Sequence, residues 1–138
     1  MQKSKFVVVL NKNYDLARLA SGLGHVTAGL SASLHAERDR MNFVRYESFD
    51  GETYPWISEW PFIVLRGTGG HIRSFGTELQ IRDLPCVTYL DTMLTGGSDS
   101  QRESTSATKS DDLTPLAIAT FGDGEVIDQL TKKFSLWK

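Results

Sequence analysis

The chain has only one cysteine, Cys86, so no internal disulfide can form and a cross-linked secreted scaffold is excluded. Long apolar runs are missing too. Stretches such as Phe6 to Leu10 and Phe62 to Leu65 fall far short of the ~20 residues that cross a bilayer. No basic-then-apolar segment opens the chain, so the expectations are no membrane partner and a cytoplasmic location. Net charge is nearly absent: 15 Lys and Arg against 17 Asp and Glu give −2, which supplies no global field for nucleic acid. Contact with a phosphate backbone would need a local basic patch. Lys3, Lys5, Lys12 and Arg18 are candidates for one, and they read equally as an ordinary solvated face. His25, His35 and His71 share no metal-ligand spacing with the lone cysteine, so no metal and no cofactor are expected.

What is present is the composition of a globular protein: 138 residues, 40% hydrophobic and 23% charged, expected to form one domain over 1–138. Phe6 to Leu10 is a β-branched run suited to an interior strand covered on both faces. Asn13 or Asp15 then offers an N-cap for a helix expected from Asp15 to Arg38. Its core stripe is Leu16, Leu19, Leu23, Val26, Leu30 and Leu34, and the many small residues between them predict close packing on more than one side. Asp50-Gly51 between Phe43–Phe49 and Glu52–Trp56 reads as a short hairpin turn. Strands are expected at Phe62–Leu65, Cys86–Leu90 and Thr114–Phe121, with helices at Ile72–Arg82 and Glu125–Phe134. The polar tract from Gly96 to Asp112 reads as a mobile loop. Alternating strands and helices point to a layered α/β sheet.

If the cysteine-bearing strand runs in the same sense as the first, Asp91 leaves the sheet at the end where the first helix begins. That is where open α/β sheets hold ligands. Arg18, Asp91, Thr95 and Thr114 then surround one crevice, with Asp91, Arg18 and Thr95 as candidate catalytic groups. Arg18, Gly22, His25 and Gly29 share a helical stripe opposite the leucines, so His25, Gly22 and Thr114 are candidate ligand-binding positions. Each has a plainer reading. His25 is a surface or packing histidine, Asp91 a turn cap, Cys86 an inert packing residue, and Gly67-Thr68-Gly69-Gly70 a crossover turn.

Taken with Lys5-Phe-Val-Val-Val-Leu10, the segment Arg18-Leu-Ala-Ser-Gly-Leu-Gly-His25 resembles the opening of type II peptidyl-tRNA hydrolases. Asp91-Thr-Met-Leu-Thr95, Thr114-Pro-Leu-Ala-Ile118 and Val126 to Lys133 resemble later segments of that family. The chain is more similar to uncharacterised bacterial relatives with this fold, domains of unknown function, than to the hydrolases proper. The resemblance implies a three-layer α/β/α fold with a mixed sheet of about four main strands, often a homodimer. It also implies ester hydrolysis at a small-molecule or tRNA-linked substrate. Arg18 stands at the family's functional lysine and Gly22 at its glutamine, while His25, Asp91 and Thr95 are retained. A guanidinium can hold an oxyanion or phosphate but cannot shuttle a proton as an amine can. The Asp50-Gly51 hairpin and the enlarged Gly96–Asp112 segment have no counterpart there.

Overall fold

A run of apolar residues buried on both faces organises everything else. In the computed structural model, which describes residues 3–137, strand β1 (Ser4–Asn11) is buried from Phe6 onward. It pairs in parallel with β4 (Phe62–Gly67) and antiparallel with β6 (Pro115–Asp123). Beyond β6 lies β5 (Cys86–Leu90), again antiparallel, and beyond β4 lies the two-residue β7 (Ser135–Leu136). The five-stranded sheet therefore has the order β5-β6-β1-β4-β7, one strand more than expected.

Pleating sends alternate β1 side chains into two cores. Phe6, Val8 and Leu10 meet Leu19, Val26 and Leu30 of helix α1 (Leu16–Ser33) on one face. Val7 and Val9 meet Ile72, Phe75 and Leu79 of α2 (Gly69–Ile81), with Ile127 of α4 (Gly124–Leu130), on the other. Helices thus cover both faces of a mixed sheet.

Differences from the sequence-based expectation have local causes. Helix α1 stops at Ser33 rather than Arg38: the Ser33 hydroxyl donates to the Leu30 carbonyl at 2.7 Å, and a 3-10 segment, His35–Met41, with a kink at Glu37 follows. Leu16 sits at the helix start and is exposed rather than part of the core stripe. The Gly96–Asp112 tract is not a loop. It holds helix α3 (Ser98–Ser106) and a 3-10 turn (Ser110–Asp112). Helix α4 ends at Leu130 instead of Phe134, and the chain turns back so that Phe134 is buried over Gly67 and β7 joins β4.

The hairpin of β2 (Phe43–Glu47) and β3 (Thr53–Ser58) forms its own two-stranded sheet. Its turn has three loop residues, not two. The Gly51 amide donates to the Ser48 carbonyl at 3.1 Å and the Ser48 amide to the Glu52 carbonyl at 2.8 Å. Gly51 takes the left-handed conformation, φ 93°, that this loop requires.

Candidate functional site

Because β6 opposes both β1 and β5, those two strands run in the same sense, and both end where β6 begins. Asn11, Asp91 and Thr114 therefore meet at one end of the sheet. Asn11, 2% exposed, donates through Nδ2 to the Pro115 carbonyl at 3.0 Å and accepts from the Asn13 amide at 3.0 Å. Asp91 Oδ1 accepts from the Thr92 and Thr114 amides, both at 3.1 Å, and its own amide donates to the Thr114 carbonyl at 3.0 Å. Asp91 thus stitches the end of β5 to the start of β6, which is the capping role open to an aspartate after a strand.

The α1 stripe of small residues lies on β5. A Cβ on Gly22 would stand 2.7 Å from Tyr89 Cδ2, and one on Gly29 would stand 3.2 Å from a Val87 methyl. These glycines let α1 close on the strand. One turn on, the His25 ring stacks on Tyr89 at 5.7 Å between centroids with an 11° interplanar angle. The Tyr89 hydroxyl donates to the Met93 carbonyl at 2.6 Å. Gln101 of α3 donates to the Met93 and Gly96 carbonyls at 3.0 Å each, and the Thr92 and Thr105 hydroxyls bond at 2.6 Å. The polar helix α3 is thereby fixed over the turn that follows β5.

Between these elements opens a pocket of about 430 Å³. Ser21, His25 and Val26 of α1 form one wall, Val87 to Tyr89 of β5 the floor, and Met93, Leu94 and Gln101 the other wall. Of the sequence candidates, His25 lines it and Gly22 is buried beside it under Tyr89. Arg18 is exposed in the first turn of α1, on the stripe that leads to His25, and its side chain makes no hydrogen bond or ion pair with the described residues. Asp91 and Thr114 are joined directly, and Thr95 is exposed in the turn that Gln101 holds. Ser21, Thr88, Tyr89 and Gln101 were not among the candidates. The signal that could have found them was the glycine stripe itself, which requires a strand lying against it.

Other groups take their plainer readings. Lys3 and Lys5 lie at the opposite end of β1 from Lys12 and Arg18, so the four do not form one patch. Lys5 pairs with Asp128 at 2.5 Å in a larger groove there. Burial pushes the Cys86 thiol above its ordinary range, away from a reactive thiolate. Thr68 caps α2 by accepting the His71 amide at 3.1 Å, so Gly67–Gly70 is a crossover turn. Among the described residues, no three or more His, Cys, Asp or Glu side chains group as a metal site, and no helix is long and apolar enough to cross a membrane.

A family profile described as "Protein of unknown function (DUF2000)" matches residues 4–138. A solved structure of a protein of unknown function from Agrobacterium tumefaciens strain C58 is similar over 100% of both chains, with a TM-score of 0.75 and 22% identity. At that identity the likeness concerns the fold alone. No curated protein matches. Neither description carries an activity, so the resemblance to peptidyl-tRNA hydrolases rests on the sequence motifs alone.

Proposed function

The chain belongs to the DUF2000 family, and we propose that this member binds a small ligand in the pocket between α1, β5 and α3. The observation that carries the reading is the pocket itself. Its volume of about 430 Å³ falls within the ~300–1,000 Å³ of typical small-molecule sites, and apolar walls with a few convergent polar groups are the usual composition. The His25–Tyr89 stack offers a flat wall for a ring or other planar body. Ser21, Thr88 and Gln101 offer hydrogen bonds, and Arg18, about 10 Å along the helix from His25, offers charge to a carboxylate or phosphate head.

Ester hydrolysis is the second reading, and one observation favours it: Asp91 and Thr114 lie at the same end of the sheet as Arg18. The two bonds that hold Asp91 Oδ1 to backbone amides favour bracing over proton transfer, so binding comes first.

The test is a thermal-shift panel of small carboxylates, phosphate monoesters and nucleotides, since a ligand that binds only the folded chain raises its melting temperature. At least one class is expected to stabilise the protein. His25→Ala should then weaken that ligand about tenfold, the loss of one stacking or hydrogen-bonding contact. No stabilisation by any class would refute the binding reading. Turnover of peptidyl-tRNA above an Asp91→Asn control would raise hydrolysis above it.

A further inference from the structure

The β2–β3 hairpin is a two-stranded sheet with both edges unpaired, an arrangement of marginal stability on its own in water. Its side chains are also unusually bare. Tyr46 is 52% exposed, Tyr54 58%, Trp56 67%, Ile57 54%, and Phe49 at the tip is fully exposed. At ~200 Å² per large side chain these leave roughly 700 Å² open, the scale of the ~800 Å² that each partner contributes to a standard interface. The other two tryptophans are accounted for: Trp60 donates to the Arg40 carbonyl at 2.8 Å, and Trp137 lies under the Arg66 guanidinium.

The two edges differ. In β3 the pairing shifts register near Trp56, which has φ 68°, and Pro55 has no N–H. Ser48 faces Glu52 in a hydrogen-bonded pair, and Tyr46, two residues back, faces Tyr54, so the intervening positions turn their backbone groups outward. On β3 the outward positions are Thr53 and Pro55, and Pro55, which has no N–H, blunts that edge at one of the two. On β2 the outward positions are Arg45 and Glu47, whose N–H and C=O groups remain open. No proline interrupts this edge, and its two charges are of opposite sign.

We propose that β2 pairs with β2 of a second copy of this chain, antiparallel about a two-fold axis at Tyr46, fusing two hairpins into one four-stranded sheet. Charge selects the register. Centring on Tyr46 sets Arg45 opposite the partner's Glu47, twice by symmetry, and makes those outward positions the hydrogen-bonded pairs. It also sets Phe43 opposite the partner's Phe49 and Tyr46 opposite the partner's Tyr46. Shifting the centre to Arg45 or to Glu47 opposes like charges at the axis, which is unfavourable. The occupant that this strand's charge pattern fits is therefore its own copy. The contact is remote from the α1–β5 pocket and stands independently of any ligand there.

Sedimentation equilibrium of the full chain tests it. The wild type is expected to form dimers. Arg45→Glu and Glu47→Arg should each weaken them about tenfold or more, by replacing two attractive cross-strand pairs with repulsive ones. Arg45→Glu/Glu47→Arg together should restore association to near the wild-type level. A second measurement covers any loss of the hairpin fold. In a Cys86→Ser background, Tyr46→Cys should give an oxidised dimer readily, because directly opposed non-hydrogen-bonded residues lie ~4.5 Å apart at Cα, within disulfide reach. Arg45→Cys in the same background should not. A wild type that stays monomeric at every concentration, dimers indifferent to Arg45→Glu, a double variant without rescue, or cross-linking at position 45 in preference to 46 would each overturn the proposal.

Discussion

Asp91→Ala is expected to lower the stability of the folded chain by about 2–4 kcal/mol, as two backbone amides lose a charged acceptor whose bonds are worth about 1.5–3 kcal/mol each when buried. The group is half-buried, which trims the sum, and water can reach part of the exposed turn. Asp91→Asn keeps an oxygen at the accepting position and should cost about 1 kcal/mol, the difference between a charge-assisted and a neutral bond. Urea denaturation of the three proteins measures both values. Asp91 Oδ1 spans from Thr92, in the turn after β5, to Thr114 at the start of β6. A loss confined to β5, β6 and α3 in hydrogen exchange would locate the brace. An Asp91→Ala protein as stable as the wild type would contradict the bracing role.

Gly22→Val carries the second large effect. The first added carbon would stand 2.7 Å from Tyr89 Cδ2, inside any normal contact, and the ring has nowhere to go. It is buried, its hydroxyl is bonded to the Met93 carbonyl, and His25 stacks on it. Helix α1 must therefore lift off β5, at an overpacking cost of about 1–3 kcal/mol. The gain in helix propensity over glycine recovers only a few tenths of a kcal/mol. The melting temperature should fall accordingly, and any ligand of the pocket should be lost, since His25 lines its wall and Tyr89 its floor. Gly24→Ala is the control: nothing lies within 4 Å of the added methyl, so it should be neutral or stabilising.

These expectations show where sequence reasoning reaches and where it stops. Phe6 to Leu10 announced a central strand because a run of that length with branched side chains suits burial on both faces, and it is buried on both. The leucine stripe of α1 was legible from its three- and four-residue spacing, apart from Leu16 at the helix start. Helix α3 was not, because it has no apolar stripe to read. Arg102 donates to Ser98 and to Asp99 along its surface, while Gln101 and Thr105 tie it to the turn after β5. Such a helix is held by particular polar contacts that only the fold creates. Strand β7 is two residues long, below any pattern.

Part of the geometry around these residues was legible. The common sheet end of Arg18, Asp91 and Thr114 followed from connectivity, since α1 starts just after β1 ends and β5 ends beside the start of β6. The pocket did not follow, because it depends on which strand the glycine stripe of α1 lies against. Once β5 takes that place, Tyr89 beneath Gly22 and His25 follows from the alternation of β5 alone.

The most direct test of the account is amide chemical-shift mapping of the wild-type chain with the ligand class that stabilises it. Binding between α1, β5 and α3 predicts shifts concentrated at Ser21, His25, Thr88, Tyr89 and Gln101, and their disappearance in Gly22→Val. Shifts centred instead on the hairpin, or on the Lys5–Asp128 groove at the far end of the sheet, would contradict it.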